Sequence, residues 1–274
     1  MLLALMAYTA EAQITSGTII VVNQSKDKLV VAADSRTEYH MGNIRPNDSD
    51  CKIATFKHQI VFAAIGSPES VGTSDGKPVP VWSAYDAAWG ATRNTSDLHE
   101  IVLAWIRRAH WFWETSYSIP KIAPQVRTAA EWNGGNLVSG IFAKTVHGNI
   151  VLEFGSISFN KANQEFPIKS DFGHEDPKTL ISCGQEPGKQ IYVAGHSDVA
   201  AKFCSERETK SKIEIRTPLK DASEQAVLAT KLVEITIDAY QNSGDVGGHV
   251  NVVTLSNDGH VVWNADADCH DNDD

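Results

Sequence analysis

The stretch TSGTIIVVNQSKDKLVVAADSR, residues 15–36, contains two apolar runs separated by a polar turn. Residues 18–23 (TIIVVN) and 28–33 (KLVVAA) are rich in β-branched side chains, and residues 24–27 (QSKD) have turn composition. This pattern predicts a β-hairpin. A Thr-Ser-Gly-Thr cluster at residues 15–18 lies at the start of the hairpin. It either contains a catalytic nucleophile or is only a polar segment that precedes the first strand.

Further along the chain, residues 60–65 (IVFAAI) predict a third strand, closed by Gly66-Ser67-Pro68. Residues 81–89 predict a short helix. A longer helix is predicted after the capping-prone residues 94–97, because apolar residues recur there at helical spacing: Leu98, Val102, Trp105, Ala109 and Phe112. This tryptophan-rich helix is either a partner-binding face or a core helix, and its period favours the core.

The second half of the chain predicts strands at residues 137–145, 149–154 and 190–194, and a long helix at about 223–240. A final hairpin is predicted around Asn257-Asp258-Gly259. Hairpins dominate, and the helices come in blocks rather than alternating with the strands. The order of elements therefore predicts an α+β fold, in which helices cover mainly antiparallel sheets.

Composition limits the classes of partner. The chain has 274 residues, is 42% hydrophobic and carries a formal charge of −10. Residues 13–263 are expected to form one domain, because no linker or repeat interrupts them. The acidic charge and the lack of a Lys/Arg cluster predict no nucleic-acid partner. No run is long enough to cross a bilayer, so no stable membrane association is expected.

The two ends of the chain have distinct compositions. Residues 1–12 contain an apolar run and a small-x-small pattern, Ala10-Glu11-Ala12, which predicts a signal segment or pro-segment. With a signal the protein is periplasmic or secreted; without one it is cytoplasmic. Residues 264–274 predict an acidic disordered tail, although Cys269 and His270 also allow metal binding.

The four cysteines include no C-x-x-C pair. An exported chain could pair Cys183 with Cys204, and a reduced chain would keep four thiols.

Four motifs occur in order: Asp34-Ser35-Arg36, Cys51-Lys52-Ile53, Ala64-Ile65-Gly66-Ser67 and Gly247-Gly248. In this order, and with a 14-residue spacing from Lys52 to Gly66, they resemble the proteasome β-subunits, a family of N-terminal-nucleophile (Ntn) hydrolases. The resemblance implies a four-layer αββα sandwich, with two antiparallel sheets face to face and helices on the outer faces. It implies no cofactor and no metal.

The resemblance also implies site residues. A Thr, Ser or Cys at the mature N-terminus attacks the carbonyl, and its own α-amine takes the proton. Lys52 matches the lysine beside that amine, Asp34 its carboxylate partner, and Gly66 the oxyanion-hole N–H, while Ala64 would line the specificity pocket. Without the resemblance, Asp34 and Lys52 read as a surface pair and Gly66 as a turn glycine.

The nucleophile itself is the least determined position. Counting back from Asp34 with the fewest insertions selects Gly17, which has no nucleophile. A two-residue insertion in the turn at residues 24–27 keeps the alternation of side chains and selects Ser16, our candidate, with Thr15 and Thr18 as alternatives. Asp245 and Ser197 match the family's supporting aspartate and serine only if the loops shift, and Val246 stands where a serine is expected. His196 is either a new general base or a hydrogen-bonded loop residue.

The resemblance thus implies a peptidase or amidohydrolase that cleaves amide bonds in a peptide or small amide substrate after removal of an N-terminal segment. Family members stack into rings, so a homo-oligomer is expected from the resemblance. The alternative is a catalytically silent relative that serves as a structural or binding module.

Overall fold

The computed structural model describes residues 13–16, 18–39, 47–74, 77–172, 180–181, 183, 189–206, 213–242, 246–265 and 271–272. These residues form five helices: α1 (Ala84–Thr92), α2 (Leu98–Ser118), α3 (Ala123–Trp132), α4 (Asp198–Glu206) and α5 (Glu224–Tyr240). The strands are β1 (Gln13–Ser16), β2 (Ile19–Gln24), β3 (Lys28–Asp34), β4 (Glu38–Tyr39), β5 (Ile53–Phe56), β6 (Ile60–Gly66), β7 (Glu69–Ser74), β8 (Lys77–Ser83), β9 (Asn136–Val146), β10 (Asn149–Ser158), β11 (Ile168–Phe172), β12 (Leu180–Ile181), β13 (Gln190–Gly195), β14 (Val250–Ser256), β15 (Val261–Ala265) and β16 (Asp271–Asn272).

The strands of the described residues form two six-stranded sheets and one smaller sheet. The first sheet has the order β11-β10-β9-β6-β5-β16, and the second has the order β12-β13-β2-β3-β14-β15. A four-stranded third sheet has the order β4-β1-β7-β8. Pairing is antiparallel, except that β16 runs parallel to β5. The predicted α+β class with mainly antiparallel sheets is confirmed.

The hairpin predicted from residues 15–36 lies at the centre of the second sheet. β2 and β3 pair in continuous register from Ile20 opposite Ala33 to Gln24 opposite Leu29. Their side chains are buried on both faces, which explains why both strands read as unbroken apolar runs rather than as an alternating pattern. The hairpin therefore has core on each side.

Three apolar cores lie between the packed sheets and helices of the described residues. One lies between the first sheet and helices α1, α2 and α3, and includes Phe62 and Trp105. A second lies between the second sheet and helices α4 and α5. The third is formed by side chains of both sheets, among them Val31 and Ile141. Two facing sheets with helices on their outer faces are compatible with the predicted αββα sandwich.

The tryptophan-rich helix α2 packs mainly as a core helix. Trp105 and Trp113 are buried, and the Trp105 indole N–H donates to the Ala84 carbonyl in α1 over 3.0 Å. Asp97 caps the helix by accepting a hydrogen bond from the Glu100 N–H. Trp111 differs, because 60% of its surface is exposed. No helix in the described part of the chain is long and apolar enough to span a membrane.

The predicted boundaries fail where strand and helix meet. The helix expected from residue 81 begins at Ala84, because residues 81–83 complete β8, where Trp82 pairs with Ser70 of β7. Ser83 then caps α1 by accepting from the Asp86 N–H. Helices α3 and α4 were not predicted. Both are short, and only three and two of their residues are buried, respectively.

The C-terminal boundary predicted at residue 264 is too early. β15 continues to Ala265, and Asn264 is buried with its amide donating to the Thr254 hydroxyl. Asp271–Asn272 pair with β5, so main-chain pairing extends into the segment predicted to be disordered. Cys269 and His270 lie outside the described residues.

The pairing of Cys183 with Cys204, one of two alternatives left open by the sequence, is present. The disulfide joins the segment before β13 to helix α4. Cys51 is disulfide-bonded as well, so the reading with four reduced thiols is wrong.

Candidate functional site

The site centres on a buried ion pair between β3 and the residue before β5. The Lys52 ammonium lies 3.0 Å from each carboxylate oxygen of Asp34. Asp34 has no exposed surface, and Lys52 is 3% exposed. The predicted pairing is confirmed, and the surface-pair reading is wrong, because a surface pair would leave these side chains in water.

The Asp34 carboxylate also accepts two backbone hydrogen bonds. The Ile19 N–H donates to Oδ1 over 3.0 Å, and the Gly247 N–H donates to Oδ2 over 3.2 Å. Ile19 and Lys52 therefore bond the same oxygen, which holds the lysine ammonium against the start of β2. The Gly247 carbonyl accepts hydrogen bonds from the Ser35 and Arg36 N–H groups. The Gly247-Gly248 motif is therefore in direct contact with the Asp34-Ser35-Arg36 motif.

Burial changes the protonation balance at this pair. Desolvation lowers the pKa of Lys52, and the Asp34 carboxylate opposes that shift by favouring the charged ammonium. Asp50 lies close enough for the Lys52 charge to favour its ionised form, although burial raises the pKa of Asp50. The ammonium is thus held by electrostatic interactions within the protein rather than by water.

Thr18 lies immediately before Ile19 and is 5% exposed. Its carbonyl accepts a hydrogen bond from the His196 N–H over 3.2 Å. Gly195, which pairs with Ile19, has φ +86°, and a Cβ there would lie 1.8 Å from the Thr18 oxygen. Only glycine allows this approach of the two backbones. The end of β13 therefore fixes the Thr18 backbone.

A cleft of about 830 Å³ opens beside Thr18. From the second sheet it is lined by Thr18, Gly195 and His196, and from the first sheet by Ile65, Gly66, Ser139, Ser156 and Lys169. The segments 132–136 and 158–161 complete its walls. The volume is in the range of ligand sites in proteins. The cleft therefore brings together the ends of both sheets.

Gly66 lines this cleft together with Thr18. It has φ +87°, and a Cβ would lie 2.6 Å from the Leu137 carbonyl oxygen. The neighbouring Ser67 N–H donates to that same oxygen over 2.7 Å. A glycine is required at position 66 because the end of β6 lies in close contact with the Leu137 carbonyl.

Of the three hydroxyl residues considered for the nucleophile, two lie in one strand and the third lies just before β2. Thr15 and Ser16 belong to β1, where their backbones pair with Tyr39 and Glu38 of β4. Their side chains, and Gly17, lie outside the described residues. Thr18 is the member of the set that the described residues place in the cleft.

Other predicted positions are distributed as follows. Ala64 is fully buried in the core shared with the helices, so Ile65 rather than Ala64 faces the cleft. His196 lines the cleft, with its ring 4.3 Å from that of Tyr240. The Ser197 carbonyl accepts from the Ala201 N–H in α4. Asp245 lies outside the described residues.

The polar lining of the cleft was missed from the sequence. Along β9 the side chains that face the second sheet are Ala143, Ile141 and then Ser139; along β10, Phe154 is followed two residues later by Ser156. The inner face thus changes from apolar to polar toward the cleft. This change from apolar to polar residues at every second position of β9 and β10 is the sequence feature that could have predicted the polar lining.

Glu69 has an unusual carboxyl group, which lies within reach of the charges of Asp50 and Asp86. Burial raises the pKa of Glu69 to about 7, and the charges of Asp50 and Asp86 add to the shift. Within the described ranges, no group of three or more His, Cys, Asp or Glu side chains could hold a metal ion.

No family model matches the chain, and no curated protein is significantly similar to it.

Proposed function

We propose that this protein is a proteasome-like N-terminal-nucleophile hydrolase that cleaves peptide bonds, with Thr18 as its nucleophile once the bond between residues 17 and 18 is cut. The observation that carries the proposal is the shared acceptor Asp34. Its Oδ1 bonds both the Lys52 ammonium and the N–H of the residue after Thr18. A buried cation is therefore held beside the residue whose amine would be released.

In the proposed reaction the Thr18 hydroxyl oxygen attacks the substrate carbonyl carbon, and the free Thr18 amine takes the hydroxyl proton. An α-amine suits this role because its ordinary pKa lies near neutrality. The Lys52 ammonium disfavours a second positive charge on that amine, and it stabilises the negative charge that develops nearby. The positive charge of Lys52 is in turn stabilised by Asp34.

The substrate C–N bond then breaks, and the departing amine carries away the proton from the Thr18 amine. The acyl group remains on the Thr18 oxygen as an ester. Water attacks this ester, releases the carboxylic acid and restores the hydroxyl. Gly66, on the opposite wall of the cleft, is proposed to donate its N–H to the oxyanion.

We choose Thr18 over Ser16 because of position. Ile19, the next residue, bonds the carboxylate that holds Lys52, whereas Ser16 pairs with β4 in the third sheet. Thr18 and Gly66 also line the same cleft. A nucleophile and an oxyanion donor must flank one carbonyl, and this pair of residues meets that requirement best.

The rival function, a silent structural or binding module, is favoured by β1. In the uncut chain the segment before Thr18 is paired on both sides, with β4 and with β7. In that state the Thr18 nitrogen is an amide and cannot take a proton. If the segment is never removed, the site stays inactive.

Four versions of the chain test the proposal: one that begins at Thr18, one at Ser16, one at Met1 with Thr18→Ala, and one that begins at residue 18 and carries Thr18→Ser. Cleavage of quenched fluorogenic peptides is measured for each. We expect activity from the two versions that begin at residue 18, because both supply a hydroxyl and a free amine, and none from the Thr18→Ala chain. The version that begins at Ser16 should become active only to the extent that its bond between residues 17 and 18 is cut, which intact mass measures.

Activity from a chain whose mass shows that it still begins at Ser16, at a rate equal to or above that of the chain from Thr18, would instead support Ser16. Folded but inactive protein in every version would support the silent module. Circular dichroism of each version shows whether it is folded.

A further inference from the structure

A row of side chains crosses the first sheet at the cleft. Ile65 of β6 pairs with Ser139 of β9, Ser139 pairs with Ser156 of β10, and Ser156 pairs with Lys169 of β11. Directly paired residues in antiparallel strands project to the same face. All four line the cleft. The row therefore leads from the position beside Gly66 to the outer strand.

The charge along this row is positive. No Asp or Glu is among the described residues that line the cleft, although the whole chain carries a net charge of −10. Two lysines line it. The Lys161 ammonium lies 2.6 Å from a carboxylate oxygen of Glu131, while Lys169 is exposed and has no ion pair within the described part of the chain. Lys169 is thus the available cation of the cleft.

Strand spacing fixes how far Lys169 lies from the reacting centre. Neighbouring strands are about 4.8 Å apart, so the three steps from β6 to β11 cover about 14 Å. An extended peptide advances about 3.3 Å per residue, and about four residues span that distance. A lysine side chain reaches partly back along the row, which brings the third residue within range as well.

We infer that the cleft selects peptides carrying a carboxylate side chain three or four residues from the bond that is cut, with Lys169 as the recognising group. This inference rests on the proposed function for the position of the cut. Ser139 and Ser156 lie between the two ends of the row and line the cleft. The Ser139 hydroxyl donates to the Asn136 side-chain oxygen over 3.2 Å, so it can accept from a peptide N–H, while the Ser156 hydroxyl can donate or accept.

The test uses the full chain processed to begin at Thr18 and a set of dye-labelled peptides. Each peptide carries Glu, Ala or Lys at one position from five residues before to five residues after a common cleavage site. Cleavage rate and binding, by fluorescence anisotropy, are measured for every peptide. The same set is applied to Lys169→Glu and to Lys26→Glu. The second variant makes the same charge change in the turn before β3, at the opposite end of β2.

We expect Glu three or four residues from the cut to be favoured over Lys by about two- to fivefold, the range of one exposed ion pair. Lys169→Glu should reverse this preference at that position alone, while Lys26→Glu should leave it unchanged. Added salt at about 0.5 M should reduce it, because salt screens exposed charges.

Cleavage without any charge preference at these positions, or a preference unaltered in Lys169→Glu, would overturn the inference and leave the proposed hydrolase intact. Position-dependent binding of the Glu peptides without cleavage would support the cleft preference and overturn the hydrolase. Neither binding nor cleavage would overturn both.

Discussion

The Lys52 ammonium lies 3.0 Å from both oxygens of Asp34, and the pair is enclosed beneath the first residues of β2. Three separate parts of the chain meet at this carboxylate: the start of β2, the residue before β5 and the Gly247 turn before β14. An ion pair so deeply buried is costly to form without additional hydrogen bonds. Here the backbone N–H groups of Ile19 and Gly247 supply them.

Loss of the Lys52 cation should destabilise the fold strongly. In Lys52→Met the Asp34 charge stays buried without its partner, and we expect a loss of about 3–5 kcal/mol in the free energy of unfolding, measured by urea denaturation. Lys28→Met is the matched control. Lys28 pairs with Asp221 over 3.1 Å at the surface, so its loss should cost about 0–1 kcal/mol. Equal costs in the two variants would contradict the burial of the pair.

Gly66 should tolerate substitution less well than a glycine with similar backbone but open surroundings. Gly66→Ala strains a positive φ and places Cβ 2.6 Å from the Leu137 oxygen. Gly148→Ala strains φ +74° with nothing within 4 Å. We expect about 1–2 kcal/mol of destabilisation for Gly148→Ala from backbone strain alone, and a larger loss for Gly66→Ala. Thermal unfolding compares them, and similar losses would exclude the contact as a cause.

Glu69 should make stability fall as pH rises through neutrality. Its pKa is about 7 in the folded protein against an ordinary 4.5. A carboxyl group whose pKa is raised by folding holds its proton more tightly in the folded state than in the unfolded state. Its stabilisation is therefore complete below about pH 4.5 and is lost as pH rises through about 7.

Urea midpoints at about pH 5 and about pH 8 measure this effect, with Glu69→Gln as the comparison. The fall in midpoint between the two pH values should be smaller in Glu69→Gln, because the amide does not titrate. An identical fall in both proteins would show that Glu69 ionises normally.

The Cys183–Cys204 disulfide should add to stability through the loop that it closes, because it spans 21 residues. Replacing both cysteines by alanine should lower the free energy of unfolding by about 3 kcal/mol, measured in urea without reductant. Peptide mapping without reduction should recover the two cysteines as one cross-linked species. Their recovery as free thiols would contradict the pairing.

Local sequence features predict the central strands well. The β2–β3 hairpin follows from its β-branched runs and polar turn, and α2 and α5 follow from their apolar period. β7 and β8 escape detection because they contain Glu, Gly, Ser, Lys and Pro, a composition usually found in loops. Their pairing with each other and with β1 stabilises them despite these residues.

The site could be predicted only in part. The order of the motifs pointed to Asp34, Lys52 and Gly66, but the choice of Thr18 as the proposed nucleophile depends on which backbone N–H bonds Asp34. That contact joins β2 to β3 across the sheet, and no local pattern encodes it. Counting insertions favoured Ser16, whereas the Ile19 hydrogen bond favours Thr18.

The cleft illustrates the same limit. Ser139, Ser156 and Lys169 come from three strands, and the register of the first sheet brings them into one row. Register between distant strands is set by pairing of the whole sheet, which a single sequence does not reveal.

The most direct test of the central claim is the N-terminal residue of the purified full-length protein, read by intact mass and N-terminal sequencing beside a Thr18→Ala variant. We expect the wild-type chain to begin at Thr18 with a free amine, and the variant to keep the bond between residues 17 and 18. A wild-type chain that is folded and soluble, yet retains the residues before Thr18 under conditions where peptide cleavage is observed, would contradict the claim.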